Sequence, residues 1–238
     1  FKLKKTQEEA SHMLSDKEEI LASKLNLVGS SSWGDLQSQL TANLSIKVEG
    51  FDEKMPLSSV RNLAYDHSAD VRKKAYVAEL EAYKQIEDSV AMALNNIKRE
   101  VNIMMPLRGY KDALEKTLKQ SHMSKATLDA MIEAIKEEAP RFREYLRLKG
   151  KMLGHNDGIA FYDMFAPVGK LTKEYSILEA KELVLDAFGS FSKPLYDLGY
   201  EAFNNRWIDF LPHEGKRGGA FCAGLDNHNQ SRVLTNFT

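Results

Sequence analysis

A helical repeat between Ser68 and Met105 is the feature that most limits what this chain can fold into. The stretch contains no glycine or proline, and its apolar residues recur every three or four positions. This spacing places side chains on one face of an α-helix. The stripe consists of Val71, Ala75, Ala78, Ala82, Ile86, Val90, Ala93, Ile97 and Val101. One such helix is about 50 Å long, so we predict a mainly α fold that is a large scaffold or a piece of one.

Two sequence signatures mark where other helices begin. Ser15 is followed three positions later by Glu18, and Ser176 is followed in the same way by Glu179. In such a capping box each residue's side chain bonds to the backbone N–H of the other. We therefore predict helices that begin just after Ser15 and Ser176.

Proline and glycine predict where helices are interrupted or end, and alternating apolar and polar residues predict a strand. Pro140 is expected to kink or split the helix that contains it, and Gly189 is expected to end its helix. Ile46 and Val48 alternate with polar neighbours, which predicts a short strand at 45–49.

The end of the chain differs from the rest because it is rich in glycine and its residues alternate in the way typical of extended strands. Two extended runs, 218–224 and 231–237, flank a polar turn and predict a β ribbon. We divide the chain into an N-terminal helical part at 1–50, a main helical lobe at 51–212 and the ribbon at 213–238.

Charge and cysteine content argue against several classes of protein. The chain has 33 basic and 34 acidic residues and a net charge of −1, so no basic surplus would attract nucleic acid or an anionic membrane. No apolar run approaches the roughly 18 residues of a membrane span. Cys222 is the one cysteine, which excludes an intrachain disulfide and fits a reducing compartment. We expect a cytoplasmic protein, and the oligomeric state stays open.

The catalytic patterns in the sequence are incomplete. HEGKR begins like the His-Glu-x-x-His helix of zinc peptidases, but Arg217 stands where the second histidine is required. A nucleophilic pair of Cys222 with His213 or His228 is a second hypothesis, and it predicts inhibition by thiol alkylation. We interpret HEGKR as a loop and Cys222 as either structural or without a specific role. The chain itself then supplies no catalytic residue and no metal ligand.

Gly218 and Gly219 are unusual in an extended run because glycine weakens a strand. They leave the ribbon without side chains, which lets a second backbone approach closely. The alternative is a glycine bulge in which Gly219 has a positive φ. Spacing alone does not separate these two interpretations.

The order of several motifs resembles one known family. AFNNRWIDFLPHEGKRGGAFC, followed by VLTNFT, is similar to the oligoendopeptidase F-like branch of the thimet-type zinc metallopeptidases. Similar stretches precede it in the family's order: LSDKEEILASKL, SSWGDLQSQLTANL, DVRKKAYVAELEAY, LRGYKDALEKTL, FYDMFAPVGK and YSILEAKELVLDAFG. The resemblance covers nearly the whole chain.

The resemblance implies a mostly helical peptidase with a deep channel, in which zinc activates water and a glutamate is the general base. Two strands of the family's small sheet have counterparts in this sequence, and the His-Glu-x-x-His helix follows them in the family. The matching residues are Gly215, Lys216, Gly219, Ala220 and Phe221, then Asn236 and Phe237. The chain is therefore expected to be an internal fragment that stops before the zinc motif.

The resemblance also implies which residues contact a substrate. Peptidases of this geometry can hold a peptide as an added strand on a sheet edge, here at Gly218, Gly219, Ala220 and Phe221. We expect oligopeptide substrates and a zinc cofactor for the intact enzyme. We expect neither bound zinc nor activity for this chain alone. A non-catalytic helical scaffold or peptide-binding domain with the same fold is the alternative.

Overall fold

The computed structural model describes residues 2–169, 173–228 and 230–237, and the fold is mainly α, as predicted. The α-helices are α1 (Lys2–Ala10), α2 (Asp16–Val28), α3 (Ser30–Ala42), α4 (Leu57–Asn62), α5 (Ala69–Tyr83), α6 (Glu87–Leu107), α7 (Ala113–Gln120), α8 (Lys125–Met152), α9 (Ile177–Phe191) and α10 (Lys193–Asn204). Short 3-10 helices span Leu63–Tyr65, Phe161–Asp163 and Asp226–His228. Within the described residues, no helix combines the length and apolar composition that crossing a bilayer requires.

The strands form two small sheets, one antiparallel and one mixed. Their bounds are β1 (Ser45–Lys47), β2 (Lys54–Pro56), β3 (Ile208–Asp209), β4 (Phe221–Leu225) and β5 (Gln230–Leu234). β1 pairs with β2, whereas β5 lies between β3, which is parallel to it, and β4, which is antiparallel. β4 is therefore an edge strand. β2 and β3 lie outside the predicted strand regions, because strands of two or three residues contain too little alternation to recognise.

The chain forms two compact units. Unit 1 comprises Phe1–Thr41, Tyr83–Lys151 and Asn156–Gly158, and unit 2 comprises Ala42–Ala82, Met152–His155 and Ile159–Thr238. Unit 1 contains α1, α2, α6 and α7 and nearly all of α3 and α8, while unit 2 contains the strands with α4, α9 and α10 and nearly all of α5. The predicted division at residues 50 and 212 stays a prediction.

The buried apolar residues lie mainly in unit 2. Leu44, Ile46 and Val48 are buried and alternate with exposed neighbours, as expected for a strand with one face packed on a core. The others in unit 2 are Val60, Ala75, Ala82, Ala166, Leu185 and Trp207, and those in unit 1 are Ala93 and Met105.

Both predicted capping boxes are present. At the start of α9, Ser176 Oγ accepts the Glu179 N–H at 3.2 Å, and Glu179 Oε2 accepts the Ser176 N–H at 2.8 Å. At the start of α2, Glu18 Oε2 accepts the Ser15 N–H at 3.0 Å. These bonds satisfy N–H groups that no helical carbonyl reaches, so local sequence determines where the two helices begin.

The single long helix predicted between Ser68 and Met105 is wrong, because the structure has two helices there. α5 ends at Tyr83 and α6 begins at Glu87, and Ile86 between them has φ −120° and ψ −1°. The break falls where the chain passes from unit 2 to unit 1. α5 buries Arg72, Ala75 and Ala82 and α6 buries Ala93 and Met105, and the helical period of the sequence continues across the break without a glycine or proline.

The split expected at Pro140 and the helix end expected at Gly189 are also wrong. α8 continues through Pro140, which is exposed, so water can satisfy the carbonyl that proline leaves unpaired. α9 continues through Gly189 to Phe191. A Cβ at Gly189 would lie 3.2 Å from Tyr196 Cδ2, so this glycine lets α9 and α10 pack closely instead of ending the helix.

Candidate functional site

A buried lysine holds the loop that precedes β4. Lys216 is 6% exposed, and its Nζ donates to the carbonyl oxygens of Asp209 at 3.2 Å and Leu211 at 2.8 Å. The same nitrogen lies 3.0 Å from Asp209 Oδ1. Its hydrogen bond is the main reason that the pKa of the Asp209 carboxyl lies below its ordinary value. A buried ammonium group is stable only when it is paired, so these three oxygens determine the path of the loop.

Asn236 holds the turn that follows Lys216. Its Nδ2 donates to the carbonyl oxygens of Gly219 at 2.7 Å and Arg217 at 3.2 Å. Gly219 has a φ of +84°, a conformation that glycine adopts without a steric penalty. The Gly215 N–H donates to the Ala42 carbonyl at 3.1 Å. The matched Gly-Lys-x-x-Gly and Asn-Phe motifs therefore meet in one hydrogen-bonded loop.

The ribbon begins later than the sequence predicts. The extended run expected at 218–224 becomes a strand only at Phe221, and residues 218–220 form a bend that leads into β4. The positive φ of Gly219 is the feature that the bulge interpretation predicted. Gly218 carries no such restriction, and a Cβ there would meet only Ser58 Cβ, at 4.0 Å. Gly219 is thus required by its backbone conformation, whereas the backbone at Gly218 has no such requirement.

The outer edge of β4 presents unpaired backbone groups. The Val233 N–H donates to the Trp207 carbonyl at 2.8 Å, so Val233 faces β3, and Cys222 opposite it forms a non-hydrogen-bonded pair. The N–H and C=O groups of Cys222 therefore point to the outer edge. The N–H groups of residues 218–220 donate to no described residue. This stretch and β4 are exposed throughout, which leaves an edge that can pair with another backbone.

A cavity of about 1180 Å³ lies beside this edge, with all of its lining residues in unit 2. Gly218, Gly219, Ala220 and Cys222 line it, whereas Phe221 does not. Much of the remaining lining is apolar, including Ala75, Tyr76, Val184, Phe188, Phe203 and Phe210. The volume exceeds that of ordinary small-molecule pockets and accommodates several residues of a peptide.

A buried ion pair borders the same cavity through Arg72. Arg72 Nε donates to Asp163 Oδ1 at 2.7 Å, and the two side chains are 3% and 2% exposed. Arg72 Nη1 donates to the carbonyl oxygens of Asp66 at 2.6 Å and His67 at 3.0 Å, and His155 Nε2 lies 2.6 Å from Asp163 Oδ2. The partners offset the cost of burying both charges and hold the 155–163 segment on α5.

Arg72 and Asp163 were not among the residues predicted from the sequence. Arg72 lies on the same face of α5 as the buried residues Ala75 and Ala82. A charged residue on an apolar helix face requires a buried partner, so this signal was present in the sequence. Asp163 lies in an irregular segment without periodicity, and nothing local marks it as that partner.

The histidine and cysteine candidates do not assemble into a catalytic or metal site. Among the residues that the structure describes, no group of three or more His, Cys, Asp or Glu side chains could hold a metal ion. HEGKR is not helical, and His213 Nδ1 lies 2.9 Å from the Glu214 carbonyl oxygen. Cys222 is exposed and bonds to no described histidine. The described residues therefore do not fit a zinc ion, and no zinc-dependent step is assigned to them.

Two solved structures share this helical fold. One is a Bacillus anthracis str. Ames protein assigned as an oligoendopeptidase F, with a TM-score of 0.79 at 17% identity over 95% of this chain and 41% of its own. The other is PZ peptidase A with an inhibitor, with a TM-score of 0.73 at 17% identity over 96% and 40%. At these identities the likeness establishes the fold, which is that of the helical oligopeptidases.

Sequence profiles then identify the family. The profile of Peptidase family M3 matches residues 62–238, and that of Oligopeptidase F matches residues 1–45. The chain belongs to Peptidase family M3, and the resemblance inferred from motif order is confirmed.

Curated relatives agree with this assignment. Oligopeptidase PepF of Bacillus subtilis (strain 168) is 28% identical over 226 residues, which cover 93% of this chain and 34% of the relative. An oligoendopeptidase F homolog of Lactococcus lactis subsp. lactis (strain IL1403) is 26% identical over 227 residues, which cover 94% and 38%. The chain thus spans less than two fifths of the length of these two relatives.

Proposed function

We propose that these residues belong to a zinc metallopeptidase that hydrolyses short peptides, and that their part is to hold the peptide. The observation that carries the proposal is the unpaired, exposed edge at 218–222 beside the unit 2 cavity, in a member of Peptidase family M3. The exposed thiol of Cys222 is compatible with a reducing compartment, and we place the whole protein in the cytoplasm.

A peptide bound here adds a strand to the outer edge of β4. Its carbonyl oxygens accept from the free N–H groups of residues 218–220 and Cys222, and its own N–H groups donate to carbonyls on that edge. These contacts involve backbone only, so they hold peptides of unrelated sequence. The apolar cavity wall takes side chains without requiring a particular charge. Zinc and its general base are implied by the family and are assigned to none of the described residues.

Replacement of Gly218 by Val tests the edge directly. A Cβ at this position meets no atom closer than 4.0 Å, so the fold should tolerate the change, whereas the branched side chain blocks an approaching backbone. Loss of two backbone hydrogen bonds, at about 0.5–1.5 kcal/mol each, weakens binding by about 5- to 150-fold. NMR titration of the 238-residue chain with two blocked tetrapeptides of unrelated sequence measures this loss.

Gly34→Val is the matched control, because Gly34 lies in α3 of unit 1 and a Cβ there meets nothing within 4 Å. Its affinity for both peptides should equal that of the wild type. Equal affinity of the Gly218→Val protein at unchanged melting temperature would remove the edge from the substrate site.

The second candidate function is a non-catalytic peptide-binding domain with the same fold. It is favoured because the groups that we assign to peptide binding are all backbone groups and neutral side chains. Such groups can bind a peptide without catalysing its hydrolysis. Hydrolysis of a quenched fluorescent peptide by the whole protein, abolished by a zinc chelator and restored by zinc, supports the peptidase. Peptide binding without hydrolysis under zinc-replete conditions supports the binding domain.

A further inference from the structure

The side chain of Asn236 links the segment that follows β5 to the turn that precedes β4. Its Nδ2 donates to the carbonyl oxygens on both sides of Gly218, namely those of Arg217 and Gly219. Only the amide nitrogen can donate to a carbonyl. These two bonds therefore fix the orientation of the side-chain amide, with Nδ2 toward the turn and Oδ1 away from the two carbonyl oxygens. The orientation of the peptide groups around Gly218 therefore depends on this one side chain.

Asn236 itself rests on a rigid support. The N–H groups of its neighbours Thr235 and Phe237 donate to the carbonyl oxygens of Asp209 at 2.9 Å and Phe210 at 2.8 Å. The segment thus continues the parallel pairing of β5 with β3. A side chain that projects from paired backbone holds its partners more accurately than one on a free loop.

The other end of the amide is left without a partner. Asn236 Oδ1 is buried and accepts no hydrogen bond from the described residues. A buried acceptor without a donor lowers stability, which offsets part of what the two Nδ2 bonds contribute. An asparagine with an unsatisfied oxygen is better explained by the geometry that it imposes than by stability.

We propose that Asn236 is a positioning residue for peptide binding: it holds the 217–219 turn so that the free N–H groups of residues 218–220 face an incoming backbone. This inference rests on the proposed function, because it assigns a role within the same edge. The turn needs such a clamp because Gly219 adopts a left-handed conformation and lies in open space, where an added Cβ would meet nothing within 4 Å. Without the clamp, the glycines at 218 and 219 allow many backbone conformations, and binding must then order them.

The test compares Asn236→Ala and Asn236→Asp with wild type in the 238-residue chain. Both variants lose the two donated hydrogen bonds, and Asn236→Asp keeps the shape. The probe is acetyl-tetraalanine amide, titrated by NMR, with melting temperature measured on the same samples. We expect affinity to fall about 10-fold in both variants, the melting temperature of Asn236→Ala to change by no more than about 3 °C, and the Gly219 amide resonance and its backbone coupling constant to shift.

Asn204→Ala is the matched control. Asn204 Oδ1 accepts from Lys181 Nζ at 2.9 Å, and Asn204 lies in unit 2 but does not line the cavity. Its loss should lower the melting temperature by no more than about 3 °C and leave affinity and the Gly219 resonance unchanged. This pattern is the one that a purely structural role for Asn236 would also produce.

The outcomes separate the inference from the function on which it rests. Wild type that binds the peptide while both Asn236 variants bind equally well overturns the positioning role and leaves the edge in place. The same holds if the variants lower the melting temperature and leave affinity unchanged, which is the pattern expected of the control. Wild type that binds no peptide at millimolar concentration overturns the proposed edge and the positioning role together.

Discussion

In unit 1 the bidentate ion pair between Glu19 and Arg108 keeps its side chains 23% and 24% exposed, whereas in unit 2 Arg72 and Asp163 are almost completely buried. The buried polar residues Ser58, Arg72, Asp163 and Lys216 all lie in unit 2. A buried charge tolerates few geometries, because each lost partner costs free energy that solvent cannot replace. The candidate site thus lies in the unit whose backbone is held by buried charges.

Breaking the buried pair should have the largest effect on stability. Arg72→Met leaves Asp163 buried with only His155 beside it, and we expect the free energy of unfolding to fall by about 3–5 kcal/mol. Urea denaturation measures the change. Lys193→Met, which breaks the exposed pair with Asp197 in the same unit, should cost less than about 0.5 kcal/mol. Similar losses for the two variants would contradict the contrast between buried and exposed charge.

The two glycines of the turn give an intermediate effect and a sharper comparison. Gly219→Val forces a branched residue into a φ of +84°, and we expect a loss of about 1–3 kcal/mol in stability. Gly218 is not among the glycines with a positive φ, so Gly218→Val should change the free energy of unfolding by less than about 0.5 kcal/mol. Chemical denaturation of both proteins checks the difference. A stable Gly219→Val protein would show that the turn has another accessible conformation.

The ion pair between Glu19 and Arg108 in unit 1 should have the smallest effect on stability. Its contribution should appear as a dependence of stability on pH. Hydrogen bonds from Arg108, and then from the Leu14 N–H, lower the pKa of Glu19 from 4.5 to about 2. A carboxyl with a lowered folded-state pKa stabilises the protein above its unfolded value and loses that contribution as the pH falls. Stability of wild type should therefore decline between pH 4.5 and about pH 2 more steeply than that of Glu19→Gln. Parallel curves would show that the pair contributes nothing measurable.

Much of the architecture could be predicted because it depends on residues close together in the chain. The capping boxes at Ser15 and Ser176 connect residues three positions apart, and the alternation at Ile46 and Val48 is local. The mainly α fold follows from the same short-range periodicity. The family could be recognised because the order of its motifs is preserved along the sequence. In each case, the deciding interaction or pattern is contained in a short window.

What only the tertiary structure decided involves residues that are distant in sequence. The break between α5 and α6 falls where the chain passes from unit 2 to unit 1, and no glycine or proline marks it. Arg72 and Asp163 are 91 residues apart, and Asn236 reaches back 19 and 17 residues to Arg217 and Gly219. The sequence by itself determined the mainly α character, the two capping boxes and the family, because these depend on local hydrogen bonds and motif order. The site geometry depends on buried polar groups, whose partners become adjacent only after the chain has folded.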